Sequence, residues 1–116
     1  MEDCLFCKIV DGEIESEILY EDEEIIAFPD INPVAPIHIL IIPKEHIESA
    51  DSLEKRHSEM VGKIFLVAKK IAKDMDLDEG YRIVNNCGED GGQTVKHIHF
   101  HLIGGRQLMW PPGYKL

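Results

Sequence analysis

The sequence predicts an α+β domain in which a mostly antiparallel five-stranded sheet packs against one long helix. Short apolar segments of strand length alternate with proline- and glycine-containing breaks, and one later segment has helical spacing. The order strands, helix, strands is typical of an α+β fold rather than of alternating parallel units. With 116 residues, 44% of them hydrophobic, the chain is expected to form a single domain over residues 1–116.

The amino-terminal part predicts a turn followed by a hairpin. Residues 5–10 form a short apolar turn that ends at an Asp-Gly pair. The apolar segments 18–20 and 24–28 flank three acidic residues at 21–23. This arrangement favours two antiparallel strands joined by a polar turn.

A rigid loop and a buried strand are expected next. Pro29, Pro33 and Pro36 lie within eight residues of one another, which excludes a helix there and predicts a shaped loop. Residues 37–42 are almost all apolar and mostly β-branched, so they predict a central, buried strand that ends at Pro43.

One long amphipathic helix follows. Apolar side chains recur at intervals of three and four from Leu53 to Met75. Asp51 is expected to cap the helix, with Glu54 at the capping-box position, and the helix is expected to end near residues 78–80. Lysines on its polar face lie towards the carboxyl end, where the helix dipole favours cations.

Two further strands are expected to complete the sheet. Residues 81–85 alternate between polar and apolar side chains, and residues 95–103 form the predicted last strand. His97, His99 and His101 alternate with apolar residues there, so all three imidazoles should lie on one face. Neighbouring imidazoles disfavour one another's protonation, and a neutral imidazole is a usable nucleophile, base or metal ligand. The pattern therefore indicates a metal site or nucleophilic catalysis rather than three structural histidines.

A glycine-rich loop, residues 86–94, leads directly into the histidine strand. Glycines permit close backbone approach to a ligand and offer unhindered amide donors. Donors from Asn86, Gly92, Gln93 and Thr94 would suit a phosphoryl transition state, whose spread charge is stabilised by fixed donors.

These segments resemble the histidine triad nucleotide-binding proteins. Residues 97–103, HIHFHLI, match the family's His-φ-His-φ-His-φ-φ signature, where φ is an apolar residue. Residues 28–33 resemble its ribose-binding turn, residues 36–38 its strand with an orienting histidine, and residues 104–113 the tail of the Hint branch. The resemblance implies this family's fold, with a short amino-terminal helix. It also implies a homodimer with sheets joined edge to edge and the Trp110 tail near the partner's site.

The resemblance further implies a hydrolase that cleaves 5'-phosphoramidates of nucleosides, expected to be purines, or related aminoacyl adenylates. A covalent nucleotidyl-histidine would form on His99, His101 would hydrogen-bond a phosphoryl oxygen, and His38 would orient the triad that His97 begins. No cofactor would be required for this chemistry. The implied nucleotide-binding set comprises Asp30 for the ribose, Phe6, Ile9, Phe28, Ile31 and Leu40 for the base, and Asn86, Gly92, Gln93, Thr94, His99 and His101 for the phosphate or leaving group.

The amino-terminal pair Cys4 and Cys7 has Cys-x-x-Cys spacing. By itself this spacing fits a buried pair, a redox pair or half of a zinc site. Some bacterial relatives use the pair for structural zinc, and His46 and His97 are then the candidate partners. Two thiolates and two imidazoles would fill a closed tetrahedron, which suits structural zinc.

Two other functions remain open, a dinucleoside polyphosphate hydrolase and a non-catalytic nucleotide-binding module. Catalytic zinc held by the three histidines is disfavoured, because ligands at alternate positions of one strand lie almost in line. The net charge of −10 argues against a nucleic-acid-binding protein. No apolar run approaches about 18 residues, and no secretory signal begins the chain, so no membrane association and a cytoplasmic location are expected.

Overall fold

The computed structural model describes residues 3–113. Its five strands form one sheet in the order β1-β2-β3-β5-β4, and every neighbouring pair is antiparallel. Two 3-10 turns precede the long helix, at Ala50–Ser52 and Lys55–His57. The helices and strands are α1 (Leu5–Val10), β1 (Tyr20–Glu21), β2 (Ile25–Pro29), β3 (Ile37–Pro43), α2 (Ser58–Asp74), β4 (Tyr81–Asn85) and β5 (Phe100–Gly104). The predicted α+β class and five-stranded sheet are confirmed.

The sheet separates two apolar clusters, one beneath each helix. Along β3, Ile39 and Ile41 belong to the cluster that includes the buried face of α2, whereas Leu40 and Ile42 pack with Phe6 of α1. This alternation follows from the pleat of the strand, which directs successive side chains to opposite faces. A strand buried on both faces must therefore be mostly apolar, as β3 is at every position except His38.

The long helix begins later than the sequence predicts. Asp51 lies in the first 3-10 turn, and regular α-helix starts at Ser58. Glu54 does not assist a cap at Asp51. It forms a reciprocal capping box with His57, whose Nδ1 accepts from the Glu54 N–H at 2.9 Å. The helix ends at Asp74, before the predicted residues 78–80, and the chain turns at Asp76 with φ of 59°.

The last strand is shorter than predicted. Ladder pairing begins at Phe100 rather than at residue 95. The preceding residues keep an alternating arrangement, and the Ile98 N–H donates to the Ile47 carbonyl at 2.7 Å. Ile98, Phe100 and Leu102 all pack in the cluster beneath α2. The predicted alternation is thus retained although much of the segment lies outside the ladder.

The remaining boundaries differ by one or two residues from expectation. Strands β1 and β2, which form the predicted hairpin, lie slightly closer to the carboxyl terminus than expected. Strand β4 matches the predicted residues 81–85. Strand β4 forms one edge of the sheet. Between residues 3 and 113 there is no helix of the length and apolar character needed to span a membrane.

Candidate functional site

A cleft of about 270 Å³ opens on the α1 side of the sheet. Apolar side chains from α1, β2 and β3 form its walls, and imidazole and carboxylate groups project into it. Nine of the residues expected to bind a nucleotide line this cleft: Phe6, Ile9, Phe28, Asp30, Ile31, Leu40, Thr94, His99 and His101. An apolar pocket with a few converging polar groups is the usual form of a small-molecule site.

His99 is held in a single tautomer. Its Nδ1 lies 2.8 Å from the main-chain oxygen of His97, and a carbonyl oxygen only accepts hydrogen bonds. In the neutral ring Nδ1 therefore carries the proton, and Nε2 keeps its lone pair. The ring is 4% exposed, and the edge of Phe6 packs against it with ring centroids 5.1 Å apart. The cleft thus contains an imidazole whose neutral form has its nucleophilic nitrogen fixed at Nε2.

A chain of two hydrogen bonds, from Val34 to His38 and from His38 to His101, fixes the tautomer of His101. The Val34 N–H donates to His38 Nδ1 at 3.1 Å, so the proton of His38 resides on Nε2. That Nε2 lies 2.8 Å from Nδ1 of His101 and donates to it. His101 therefore carries its own proton on Nε2. The two neighbouring rings therefore differ in their neutral forms, since Nε2 of His99 is an acceptor and Nε2 of His101 is a donor. The centroids of these two rings lie 5.0 Å apart.

Electrostatics keep this chain neutral. Burial, followed by the proximity of His99 and His38, lowers the pKa of His101 to about 4. Burial likewise lowers the pKa of His38, although the nearby Asp30 carboxylate opposes this effect. Near neutral pH, His38 and His101 are therefore uncharged, as the hydrogen bond between them requires.

Asp30 lies at the end of this chain. Its Oδ1 accepts from the Asn32 N–H at 2.8 Å, and its Oδ2 lies 3.4 Å from His38 Nε2. Asp30, His38 and His101 are close enough to resemble a metal-binding group. A cation on His38 Nε2 would displace the proton that the Val34 contact places there, so the arrangement favours a hydrogen-bond chain.

Three of the expected phosphate-binding residues do not line the cleft. Asn86 Nδ2 donates to the Gly91 carbonyl at 2.7 Å, and Gly92 donates its N–H to the Glu89 carbonyl. Gln93 donates from Nε2 to the carbonyls of Glu48 and Val95. These bonds hold the loop in shape, and nucleotide contact by Asn86, Gly92 and Gln93 stays a prediction.

A second group lies behind the same strand, formed by Cys4, Cys7, His46 and His97. Their ligand atoms all lie within 4.8 Å of one another. His97 Nδ1 is 3.3 Å from Cys4 Sγ and 3.6 Å from Cys7 Sγ, and His46 Nδ1 is 3.3 Å from Cys7 Sγ. The expectation that these four residues come together is confirmed, and we refer to them as the thiol-imidazole cluster.

The donor set fits a metal ion. His97 Nε2 donates to the Pro43 carbonyl at 2.8 Å, so its Nδ1 lone pair faces the thiols, as metal-binding imidazoles require. Burial lowers the pKa of His97 and, with the neighbouring Cys4, raises the pKa of the Cys7 thiol to about 11. A buried cation would reverse the effect on the thiol, since metal binding deprotonates cysteine. Two sulfur and two nitrogen ligands are typical of closed zinc sites.

His97 therefore differs from the other two members of the histidine row. It was expected both in the catalytic set and among the metal ligands. The structure buries its ring completely and engages both ring nitrogens outside the cleft. Its contribution to the cleft is the main-chain oxygen that fixes His99.

Sequence reasoning missed several groups at the cleft. Asn85, at the end of β4, donates from Nδ2 to the His99 carbonyl at 2.9 Å and so holds the main chain of that residue. Glu15 and Ser16, from the loop after α1, line the cleft. A polar residue ending a strand that pairs with the histidine strand was a usable signal for Asn85. The sequence carried no comparable signal for Glu15 or Ser16.

Comparison with known proteins identifies the family to which a chain with this site belongs. A family model described as "Scavenger mRNA decapping enzyme C-term binding" matches residues 3–110. The chain is 52% identical over 111 residues to a 14 kDa zinc-binding protein of Zea mays, covering 94% of this chain and 87% of that one.

Solved structures give the same result. A HIT family hydrolase of Legionella pneumophila superposes with a TM-score of 0.93 at 51% identity, covering 96% of this chain and 100% of that one. A histidine triad protein of Clostridium difficile superposes with a TM-score of 0.90 at 48% identity, covering 94% and 96% of the two chains. The chain belongs to the histidine triad (HIT) family and has the fold of its hydrolases.

Proposed function

We propose that this protein is a nucleotide-binding hydrolase of the Hint branch that cleaves the P–N bond of purine nucleoside 5'-phosphoramidates or related aminoacyl adenylates. One observation carries the proposal. In its neutral form His99 presents the lone pair of Nε2 beside the protonated Nε2 of His101, in a cleft whose apolar walls suit a base. A nucleophile next to a fixed donor is the arrangement that covalent phosphoryl transfer requires.

In the first step on a phosphoramidate, His99 Nε2 attacks the α-phosphorus and forms an N–P bond as the bond to the leaving amine breaks, and the amine takes up a proton from solvent. The imidazole becomes cationic, and the His97 carbonyl that accepts from its Nδ1–H stabilises this charge. His101 donates from Nε2 to a non-bridging phosphoryl oxygen. Because His101 is neutral, it binds the oxygen without giving up its proton.

In the second step, water attacks phosphorus and His99 leaves, releasing the nucleoside monophosphate. The two steps replace one difficult displacement by two easier ones. Asp30 accepts hydrogen bonds from the ribose hydroxyls, and Thr94 contacts the phosphate or the leaving group. Phe6, Ile9, Phe28 and Leu40, together with the exposed Ile31, enclose the base.

The thiol-imidazole cluster supports the cleft from behind. Cys4, Cys7, His46 and His97 hold a structural zinc ion, which supplies cross-linking and no step of the reaction. Cys4 and Cys7 flank Phe6, which contacts both His97 and His99. The cytoplasm keeps thiols reduced, as this site needs, and we place the protein there.

We also propose a homodimer. Strand β4 presents an unpaired edge, which favours pairing with a second sheet. Leu66 of α2 and Tyr81 of β4 are exposed, as is Trp110, and Arg82 holds the tail by donating to the Met109 carbonyl at 2.9 Å. The Trp110 tail would then lie near the partner's cleft and influence the choice of leaving group. Sedimentation equilibrium that gives only monomer would contradict this assembly.

The test of the function uses His99→Asn, whose amide retains a donor for the His97 carbonyl. We expect turnover of an adenosine 5'-phosphoramidate to fall by about a thousandfold or more, as for removal of other covalent nucleophiles. Affinity for AMP should change little. The matched control is His57→Asn, at a buried histidine that immediately precedes α2, hydrogen-bonds Glu45 and does not line the cleft. It should keep the wild-type turnover.

Rapid quench should trap an acid-labile, base-stable nucleotidyl label on wild type and none on His99→Asn. Undiminished turnover in the variant would remove the nucleophile assignment. Wild type that binds AMP without labelling would be a nucleotide-binding module. A preference for dinucleoside polyphosphates over phosphoramidates would assign the other hydrolase activity.

A further inference from the structure

The cleft contains a carboxylate that the proposed chemistry does not use. Glu15 lines the cleft beside Ser16, and its side chain is exposed. Among residues 3–113, none donates a hydrogen bond to the Glu15 carboxylate or forms an ion pair with it. The other cleft carboxylate, Asp30, is engaged by Asn32 and lies near His38. Glu15 is therefore the acceptor available to a ligand.

The loop that carries Glu15 is fastened to the carboxyl end of α1. The N–H groups of Glu13 and Ile14 lie 2.9 and 3.3 Å from the Lys8 carbonyl oxygen. Phe6, whose ring contacts His99, lies near the opposite end of this short helix. Glu15 lines the cleft together with Ile9 and Ile14 of the apolar wall.

A ligand with its α-phosphorus at His99 and its sugar at Asp30 places its base among these apolar walls. A base in this position can present its edge to the loop that bears Glu15, because Glu15 lines the same cleft. A carboxylate only accepts hydrogen bonds, and it matches two adjacent donors best. Guanine presents such a pair, N1–H and the 2-amino group, whereas adenine and cytosine place an acceptor beside their amino group. Hypoxanthine offers N1–H alone.

We infer that Glu15 is a specificity-determining residue that favours guanine nucleotides over adenine nucleotides in this cleft. The inference rests on the proposed function, since it requires the base to occupy the apolar part of the cleft. Ser16 donates and accepts, so its hydroxyl is compatible with either purine. The substrate class is then a guanosine 5'-phosphoramidate in preference to its adenosine counterpart.

The experiment measures the dissociation constants of GMP, IMP and AMP by calorimetry at one ionic strength. We expect GMP to bind about fivefold more tightly than AMP, the lower limit for a two-donor contact because Glu15 is solvent-exposed. IMP should fall between them. In Glu15→Gln the GMP-to-AMP ratio should approach one, because an amide no longer offers two acceptors.

Glu13→Gln is the matched control. It removes the same charge from the same loop, and Glu13 does not line the cleft. Any general effect of charge on phosphate binding acts equally on the three nucleotides and cancels in the ratio. Glu13→Gln should therefore keep the wild-type ratio.

Equal affinities of wild type for GMP and AMP would overturn the inference while leaving the proposed function intact. An unchanged ratio in Glu15→Gln, or an equal loss in Glu13→Gln, would assign the preference to another group and also overturn it. Failure of all three nucleotides to bind would contradict the proposed function itself.

Discussion

The cleft and the thiol-imidazole cluster use histidines of one segment, residues 97–101, in opposite ways. In the cluster, His97 directs Nδ1 towards the thiols because Nε2 donates to Pro43. In the cleft, the neutral form of His99 has its lone pair on Nε2 because Nδ1 donates to the His97 carbonyl. His101 has the other pattern, since its Nδ1 accepts from His38. The hydrogen-bond partner of each ring, rather than the residue type, decides whether the histidine is a ligand, a nucleophile or a donor.

The largest expected effect comes from emptying the cluster. Metal removal by a strong chelator, or the substitution Cys7→Ser, should lower the free energy of unfolding by several kcal/mol, because a bound cation stabilises only the folded chain. Urea unfolding and elemental analysis check this. Cys87→Ser should leave both unchanged, since that cysteine lies outside the cluster. Purified protein with well below one equivalent of zinc and an unfolding midpoint insensitive to chelator would contradict the metal assignment.

A smaller effect is expected from His38→Phe. The substitution removes the donor to His101 Nδ1, so His101 loses its fixed tautomer. We expect kcat to fall about 10- to 100-fold, the usual result of removing a group that orients a functional histidine, with little change in KM. His57→Phe, at another buried histidine, should alter stability and leave kcat alone. A change confined to KM in His38→Phe would mean that His38 acts on binding rather than on His101.

Asn85→Ala should produce a more modest loss. The Nδ2 group of Asn85 holds the His99 carbonyl at 2.9 Å, and one such hydrogen bond is worth about 1 kcal/mol, or roughly fivefold in rate. Steady-state kinetics should show the decrease mainly in kcat. Asn85→Asp, which lacks the donor, should resemble Ala, whereas Asn86→Ala should be closer to wild type. Equal losses at positions 85 and 86 would contradict this positioning role.

The last prediction concerns the dependence of stability on pH. The pKa of His101 is about 4 in the folded chain and near 6.5 when unfolded, so the unfolded state binds more protons between these values. The contribution of neutral His101 to the free energy of unfolding is complete above about pH 6.5 and is lost as pH falls towards 4. His101→Gln should therefore flatten the dependence of the urea midpoint on pH in this window. An identical slope in variant and wild type would mean that His101 does not titrate as stated.

The alternation of side chains was predictable from the sequence because it is a local property. Ile98, Phe100 and Leu102 face α2 as expected, even where the ladder is absent. The helix start was not predictable, since Glu54 had two possible partners and the structure selects His57 over Asp51. Local pattern cannot decide between two caps that both satisfy a helix terminus.

The functional site likewise has features that the sequence predicts and features that it does not. The sequence predicted the composition of the cleft and of the cluster, because family motifs specify residue types. It could not predict the tautomers, which depend on carbonyl groups distant in sequence, such as that of Pro43 for His97. It also favoured Asn86 over Asn85, because only the strand register shows that Asn85 lies opposite Phe100 and reaches His99.

Helix α1 belongs to both regions, since it follows Cys4, carries Cys7, and contributes Phe6 and Ile9 to the cleft. Thermodynamic linkage makes any coupling through α1 between the cleft and the thiol-imidazole cluster reciprocal. By whatever factor a zinc ion strengthens the binding of a nucleotide, the nucleotide must strengthen the binding of zinc by the same factor. In a cell where zinc is scarce, abundant ligand for the cleft would then help this protein to retain its metal.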